Sequence, residues 1–258
     1  VLADNGSISF ARRLSLGANG FTREGVNQNA QVGEGLGGTV NITVQGSTGQ
    51  LNFDDLRAST DGAFDFDGEI LDTNFVGSGS TGIGGLTQFN VLGGALNAQD
   101  ITVSSDGEGG PGGEISDGTV NVANDLQNTG TGGAGTGGEV VFNLDGGSVT
   151  VVNLEVTSNG IGGEGAPGSF EDGTNAGDGG DSAGGSATFN AISGNLTVTD
   201  TLTVEATGNI AFSTSIFGGE GGSGLASLGG RGGDATGGTA TFNLDGTATV
   251  DANNVVVS

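Results

Sequence analysis

GGEVVFNLDGG (Gly137–Gly147), GGSATFNAISG (Gly184–Gly194) and GGTATFNLDGT (Gly237–Thr247) are three versions of one phrase. GGLTQFNVLGG from Gly84 follows it closely, and GGTVNITVQGS from Gly37 has Ile42 where the others have Phe. The five glycine pairs start 47, 53, 47 and 53 residues apart. A period of that size marks a repeat protein, in which one unit buries its apolar face only against the next. Within each phrase apolar and polar residues alternate, as in a half-buried strand. Val140, Phe142 and Leu144 point one way, and Glu139, Val141 and Asn143 the other.

A turn of Gly, Asp or Ser follows, and then a second apolar pattern. It reads Leu51, Phe53, Leu56, Ala58; then Leu96, Ala98, Ile101, Val103; Val149, Val151, Leu154, Val156; and Val250, Ala252, Val255, Val257. The break in alternation at its centre predicts a corner between two short strands. Ile8, Phe10, Leu14, Leu16 and Leu196, Val198, Leu202, Val204 are a variant one residue longer at the corner. The expected fold is all-β: three short strands and corners per coil of a parallel β-helix, a single solenoid with long Gly-rich loops. Its repeats would be 1–36 (partial), 37–83, 84–136, 137–183, 184–236 and 237–258 (partial). Helices are excluded, since no segment keeps a 3.6-residue period and Gly, Asn, Thr and Val dominate. A string of β-sandwich domains is the rival, but sandwiches join their strands by short turns.

The Gly-rich segments are too long for ordinary connections, yet their endings match. Gly130, Gly132, Gly133, Gly137 and Gly138 have the spacing of Gly177, Gly179, Gly180, Gly184 and Gly185, and of Gly230, Gly232, Gly233, Gly237 and Gly238. Such spacing predicts backbones stacked too closely for a Cβ, with the middles of the loops as excursions. Val120 with Val122, Ile210 with Phe212 and Phe217, and Phe64, Phe66, Ile70 and Phe75 predict extra strands or flaps over the solenoid.

Composition narrows the function. The chain has 258 residues, 58 of them Gly, with 30 acidic and 5 basic side chains and a net charge of −25. Nucleic acid and anionic membrane surfaces need clustered cations and are not expected as partners; divalent cations, a cationic partner or plain solvent remain, with glycans and further copies of the chain beside them. No apolar run is long enough for a transmembrane helix, so membrane insertion is not expected. Without Cys or His there is no disulfide framework, thiolate site or Ser-His or Cys-His nucleophile pair. The opening at Val1 lacks a signal-peptide pattern and the end at Ser258 falls within a strand pattern, so a processed or excised piece of a longer repetitive protein is expected.

The sequence holds two candidate chemistries. GGRGGDATG from Gly229 is similar to the calcium nonapeptide of RTX proteins, with Thr236 in place of the large apolar residue. Asn175–Gly184 is a weaker match. The resemblance nominates Asp178, Asp181 and Asp234 as weak oxygen ligands, with calcium the one candidate cofactor; solvated Asp beside stacked Gly is the alternative. Asp54 with Asp55 and Asp65 with Asp67 are paired carboxylates of the sort glycosidases use. A sugar cleft would also need Trp, Tyr, His or Lys, and the chain has none. No enzymatic role is expected.

GGSVTVVNLEVTS, GGALNAQDITVSS and SGNLTVTDTLTVEA resemble the coils of filamentous haemagglutinin-type adhesins and autotransporter passenger domains. The resemblance implies a right-handed β-helix exported to the bacterial surface, with a role as adhesin stalk, matrix component or filament subunit. A calcium- or glycan-binding surface module is the alternative. Asp4–Leu16 and Asn254–Ser258 carry coil patterns without polar caps, so flanking sequence supplies more coils or copies stack end to end.

Overall fold

The computed structural model describes residues 2–4, 7–9, 12–22, 34–46, 48–64, 78–112, 130–166, 175–210 and 230–258. Among these residues there are strands and no helix. Every pairing between strands is parallel. Each joins a segment to its equivalent in the repeat before or after.

The first strand of each repeat, directly after the glycine pair, is Thr39–Gln45, Leu86–Leu92, the start of Glu139–Val151, the start of Ser186–Glu205, and Thr239–Leu244. Leu2–Asp4 pairs beneath this series. The second and third strands pair in the same way, as Gln50–Asn52 with Ala95–Asn97 and Asp55–Ser59 with Asp100–Ser104. Because Glu139–Val151 and Ser186–Glu205 run on through corners, these series join into one fourteen-stranded sheet. The residue added at the corner of the fourth repeat is taken up as a register shift between Val198 and Thr201, after which Leu202 again faces Val255.

Side chains inside these three series form one continuous apolar core. Phe142 stacks on Phe89 with ring centroids 4.9 Å apart, and on Phe189 at 5.3 Å; Phe189 stacks on Phe242 at 5.3 Å. Phe89, Phe142 and Phe189 are fully buried, as are Leu51, Leu96, Leu154, Leu196 and Leu202. Phe242, Val250 and Ala252 are partly buried against the same core. On the opposite side of the first strand, Asn amides form a ladder. Asn143 donates to Asn90, Asn190 to Asn143 and Asn243 to Asn190, each at 2.8 Å.

Extra strands are present as expected at Phe64 and Ile210, but they belong to two further series that recur from repeat to repeat. An outgoing segment leaves the third strand: Gly20–Thr22, Gly62–Phe64, Gly107–Glu108, Gly160–Gly162 and Gly208–Ile210. An incoming segment returns just before the glycine pair: Glu34–Leu36, Thr81–Ile83, Gly135–Thr136, Ser182–Ala183 and Ala235–Thr236. Each series is a five-stranded sheet. Phe64 and Ile210 therefore belong to a segment present in every repeat rather than to added flaps. Phe66, Ile70, Phe75, Val120, Val122, Phe212 and Phe217 lie outside the described residues.

The incoming and outgoing sheets press backbone against backbone. A Cβ on Gly107 would fall on the Thr136 carbonyl oxygen, and one on Gly135 on the Ile161 carbonyl oxygen; only Gly permits such an approach. Hydrogen bonds run along each sheet and also across the pair. Gly110 N–H donates to Ser80 O at 2.8 Å, Gly133 N–H to Gly110 O at 2.8 Å and Gly163 N–H to Gly133 O at 2.9 Å. Backbone groups that face no side chain are thus satisfied by the opposite arm. Of the glycines with matched spacing, Gly133, Gly138, Gly180 and Gly185 are packed in this way, whereas Gly237 has open space around it.

Candidate functional site

The polar chemistry lies where the arms leave the core and along the arms themselves. At the root of the outgoing arm every repeat has a polar residue followed by glycine: Asn19-Gly20, Asp61-Gly62, Asp106-Gly107, Asn159-Gly160 and Thr207-Gly208. These residues form a column. Asn19 Oδ1 accepts the Asp61 N–H at 3.0 Å, and Asp61 Oδ1 accepts the Asp106 N–H at 3.1 Å. Asp106 Oδ1 accepts the Asn159 N–H at 2.7 Å, and Asn159 Oδ1 the Thr207 N–H at 2.9 Å. Each side chain thus caps the backbone of the residue stacked upon it. An ionised acceptor strengthens such a bond.

The Asp61–Asp106 step places two carboxylates in succession. Ser104 Oγ also donates to Asp61 Oδ1, at 3.1 Å. Burial pushes the Asp106 carboxyl up to about 6, reinforced by Asp61 and Glu155, while the Asn159 N–H and Arg57 act the other way. Glu108, two residues on, is also raised, first by burial and then by Asp61. This column escaped the sequence reading. Its signal was visible as Asx-Gly after four of the five third strands, a pair that ordinarily reads as a turn.

Asp178, Asp181 and Asp234 lie on the incoming side and obey the same rule. Asp178 Oδ1 accepts the Arg231 N–H at 2.7 Å, and Asp181 Oδ1 accepts the Asp234 N–H at 2.9 Å. All three residues are exposed. Asp181 and Asp234 are successive members of one column, as the neighbouring pair Ser182 and Ala235 shows. The structure therefore gives the Asp178 and Asp181 carboxylates a backbone partner each. Among the described residues, no group of three or more His, Cys, Asp or Glu side chains is arranged to hold a metal ion. Asp65 and Asp67 lie outside the described residues; Asp55 forms an exposed pair with Arg13 at 3.4 Å.

One groove follows the corner between the first and second strands. It encloses about 500 Å³ and is lined by Gly49, Gly94, Gly147 and Gly194 with Gln50 and Ser148. The corner exists because Gly146, at φ 87°, takes a left-handed turn that other residues rarely adopt. The lining carries no aromatic platform and no charged side chain.

No family model, curated protein or solved structure matches this chain.

Proposed function

We propose that the chain is a β-solenoid with a structural, non-enzymatic role on the outside of a bacterial cell, as adhesin stalk, matrix component or filament subunit. The observation that carries this reading is the continuous Phe89–Phe142–Phe189–Phe242 stack. One core residue type is held in register through four repeats, while the surface keeps no cleft of converging catalytic groups among the described residues. Such a molecule distributes its stability along an axis rather than around a pocket. The resemblance of its strand phrases to haemagglutinin-type and autotransporter passenger coils supports the bacterial surface as its location. The strongly acidic surface favours solubility there.

The partner in this reading is another set of β coils. In the last repeat Leu244, Val255 and Val257 are exposed core-column residues, and a further parallel layer of the same pattern would cover them. Electron micrographs and small-angle scattering of the purified chain test the proposal. Rods or filaments with a constant cross-section are expected; an isotropic particle whose radius of gyration fits a compact sphere would overturn it.

A calcium-binding surface module is the second reading. It is favoured by the placement of Asp181 and Asp234 in one exposed column, one repeat apart.

A further inference from the structure

At the root of the outgoing arm two successive caps, Asp61 and Asp106, carry a charge that capping does not require. Asn19 and Asn159 perform the same capping task as Asp61 and Asp106 without charge. Two ionised carboxylates in successive layers of one column repel each other, more strongly where water is excluded. We propose that the half-buried Asp61–Asp106 step is a proton-binding site, which fastens the outgoing arm to the core in mildly acidic solution and loosens it as the proton leaves.

The surroundings set the direction of this switch. Asp106 faces Asp61 in the layer before it and Asn159 in the layer after. Glu155 comes from the following third strand and Arg57 from the preceding third strand. Glu108 lies on its own arm, and Asp55 and Asp100 stand at the start of the third strands beneath and beside it. The facing incoming strands, Thr81–Ile83 and Gly135–Thr136, contribute no ionisable side chain. Two carboxylates, Asp61 and Glu155, thus act on Asp106 against Arg57. A proton on Asp106 removes the repulsion and supplies an O–H donor to the column. Asp106 Oδ1 keeps the Asn159 N–H in either state, so protonation changes the strength of the step without dismantling it.

The linkage has a definite sign. The Asp106 carboxyl rises from 3.8 to about 6 on folding. The stability it contributes is complete below the lower value and is lost as pH rises through the upper one. Net charge confuses a simple pH scan, because all acidic groups repel less in acid. The variant Asp106→Asn separates the two effects. Its amide oxygen can accept the Asn159 N–H as Asp106 Oδ1 does, and it carries no charge, so it mimics the protonated state.

The test compares melting midpoints of wild type and D106N at about pH 5 and about pH 7.5, at constant ionic strength. The variant is expected to match wild type in acid, to melt about 5 °C higher near pH 7.5, and to lose that share of the pH slope. An unchanged slope in D106N overturns the proposal. So does a carbon-13 titration of the wild-type chain that finds the Asp106 carboxyl at an ordinary carboxylate value, a result that does not depend on the variant folding. Neither outcome bears on whether the molecule forms rods.

Discussion

The ring of Phe142 lies 4.9 Å from that of Phe89 and only 7° from parallel to it. Stacking in the same column continues to Phe189 and Phe242, so each central ring touches two others. Phe142→Ala is expected to cost ~3–5 kcal/mol, the range for emptying a buried aromatic site. Phe142→Ile should cost much less, because Ile42 already occupies the equivalent place and pairs with Phe89. Chemical denaturation of the two variants checks the order; equal losses would mean that the rings do not share a column.

Ser182 gives the opposite sign. Its hydroxyl is buried, at 2% exposure, and has no hydrogen-bond partner. A buried polar group left unpaired costs stability, and replacing it by an apolar group of the same shape recovers it. Ser182→Ala is therefore expected to stabilise the chain by ~1 kcal/mol, and Ala235 in the same column shows that a methyl side chain has a place there. A loss of stability in this variant would reveal a partner for the hydroxyl.

Gly107→Ala tests the glycine arms. The added Cβ would fall on the carbonyl oxygen of Thr136, and neither backbone moves without breaking bonds to the layers on both sides. Amide exchange is expected to accelerate across Gly107–Gly112 and Gly130–Thr136 while the Phe column remains protected. Uniform acceleration through the whole chain would instead show that arms and core open as one unit.

Calcium separates the two readings of the acidic columns. A purely structural stack responds to calcium as it does to sodium at equal ionic strength, through screening alone. A further rise in melting midpoint, saturating with calcium and abolished by Asp181→Asn with Asp234→Asn, would establish a specific site. The backbone partners of Asp178 and Asp181 lead us to expect the screening result.

The core was legible from sequence because each first strand repeats one alternation of apolar and polar residues around a single phrase. Phe142 could be paired with Phe189 by eye, and the corner variant at Leu196–Val204 was visible as one extra residue. The arms were not legible as strands. Gly107–Glu108 and Gly135–Thr136 contain two residues each, too few to show a period, and their faces are backbone rather than side chain. What survived in the sequence was the spacing of glycines, which located the close packing without revealing that two sheets made it. The capping column was hidden for a related reason: Asp61, Asp106 and Asn159 act through successive layers, and a single repeat shows only a turn signal. The RTX-like Asp178, Asp181 and Asp234 were legible as carboxylates near glycine, but a motif does not disclose that the partner is the next layer's N–H.

The asparagine ladder has a consequence for length. Asn143 bonds Asn90 across 53 residues of chain, and Asn190 bonds Asn143 across 47, yet both bonds measure 2.8 Å. The distance travelled along the chain between layers is therefore decoupled from the geometry of the layer itself. Deleting residues 137–183 would set Asn190 upon Asn90 and Phe189 upon Phe89, joining surfaces that already fit. Gain or loss of a whole repeat would then change the number of stacked layers while leaving the geometry of each layer as it is, making layer number a heritable variable separate from layer structure.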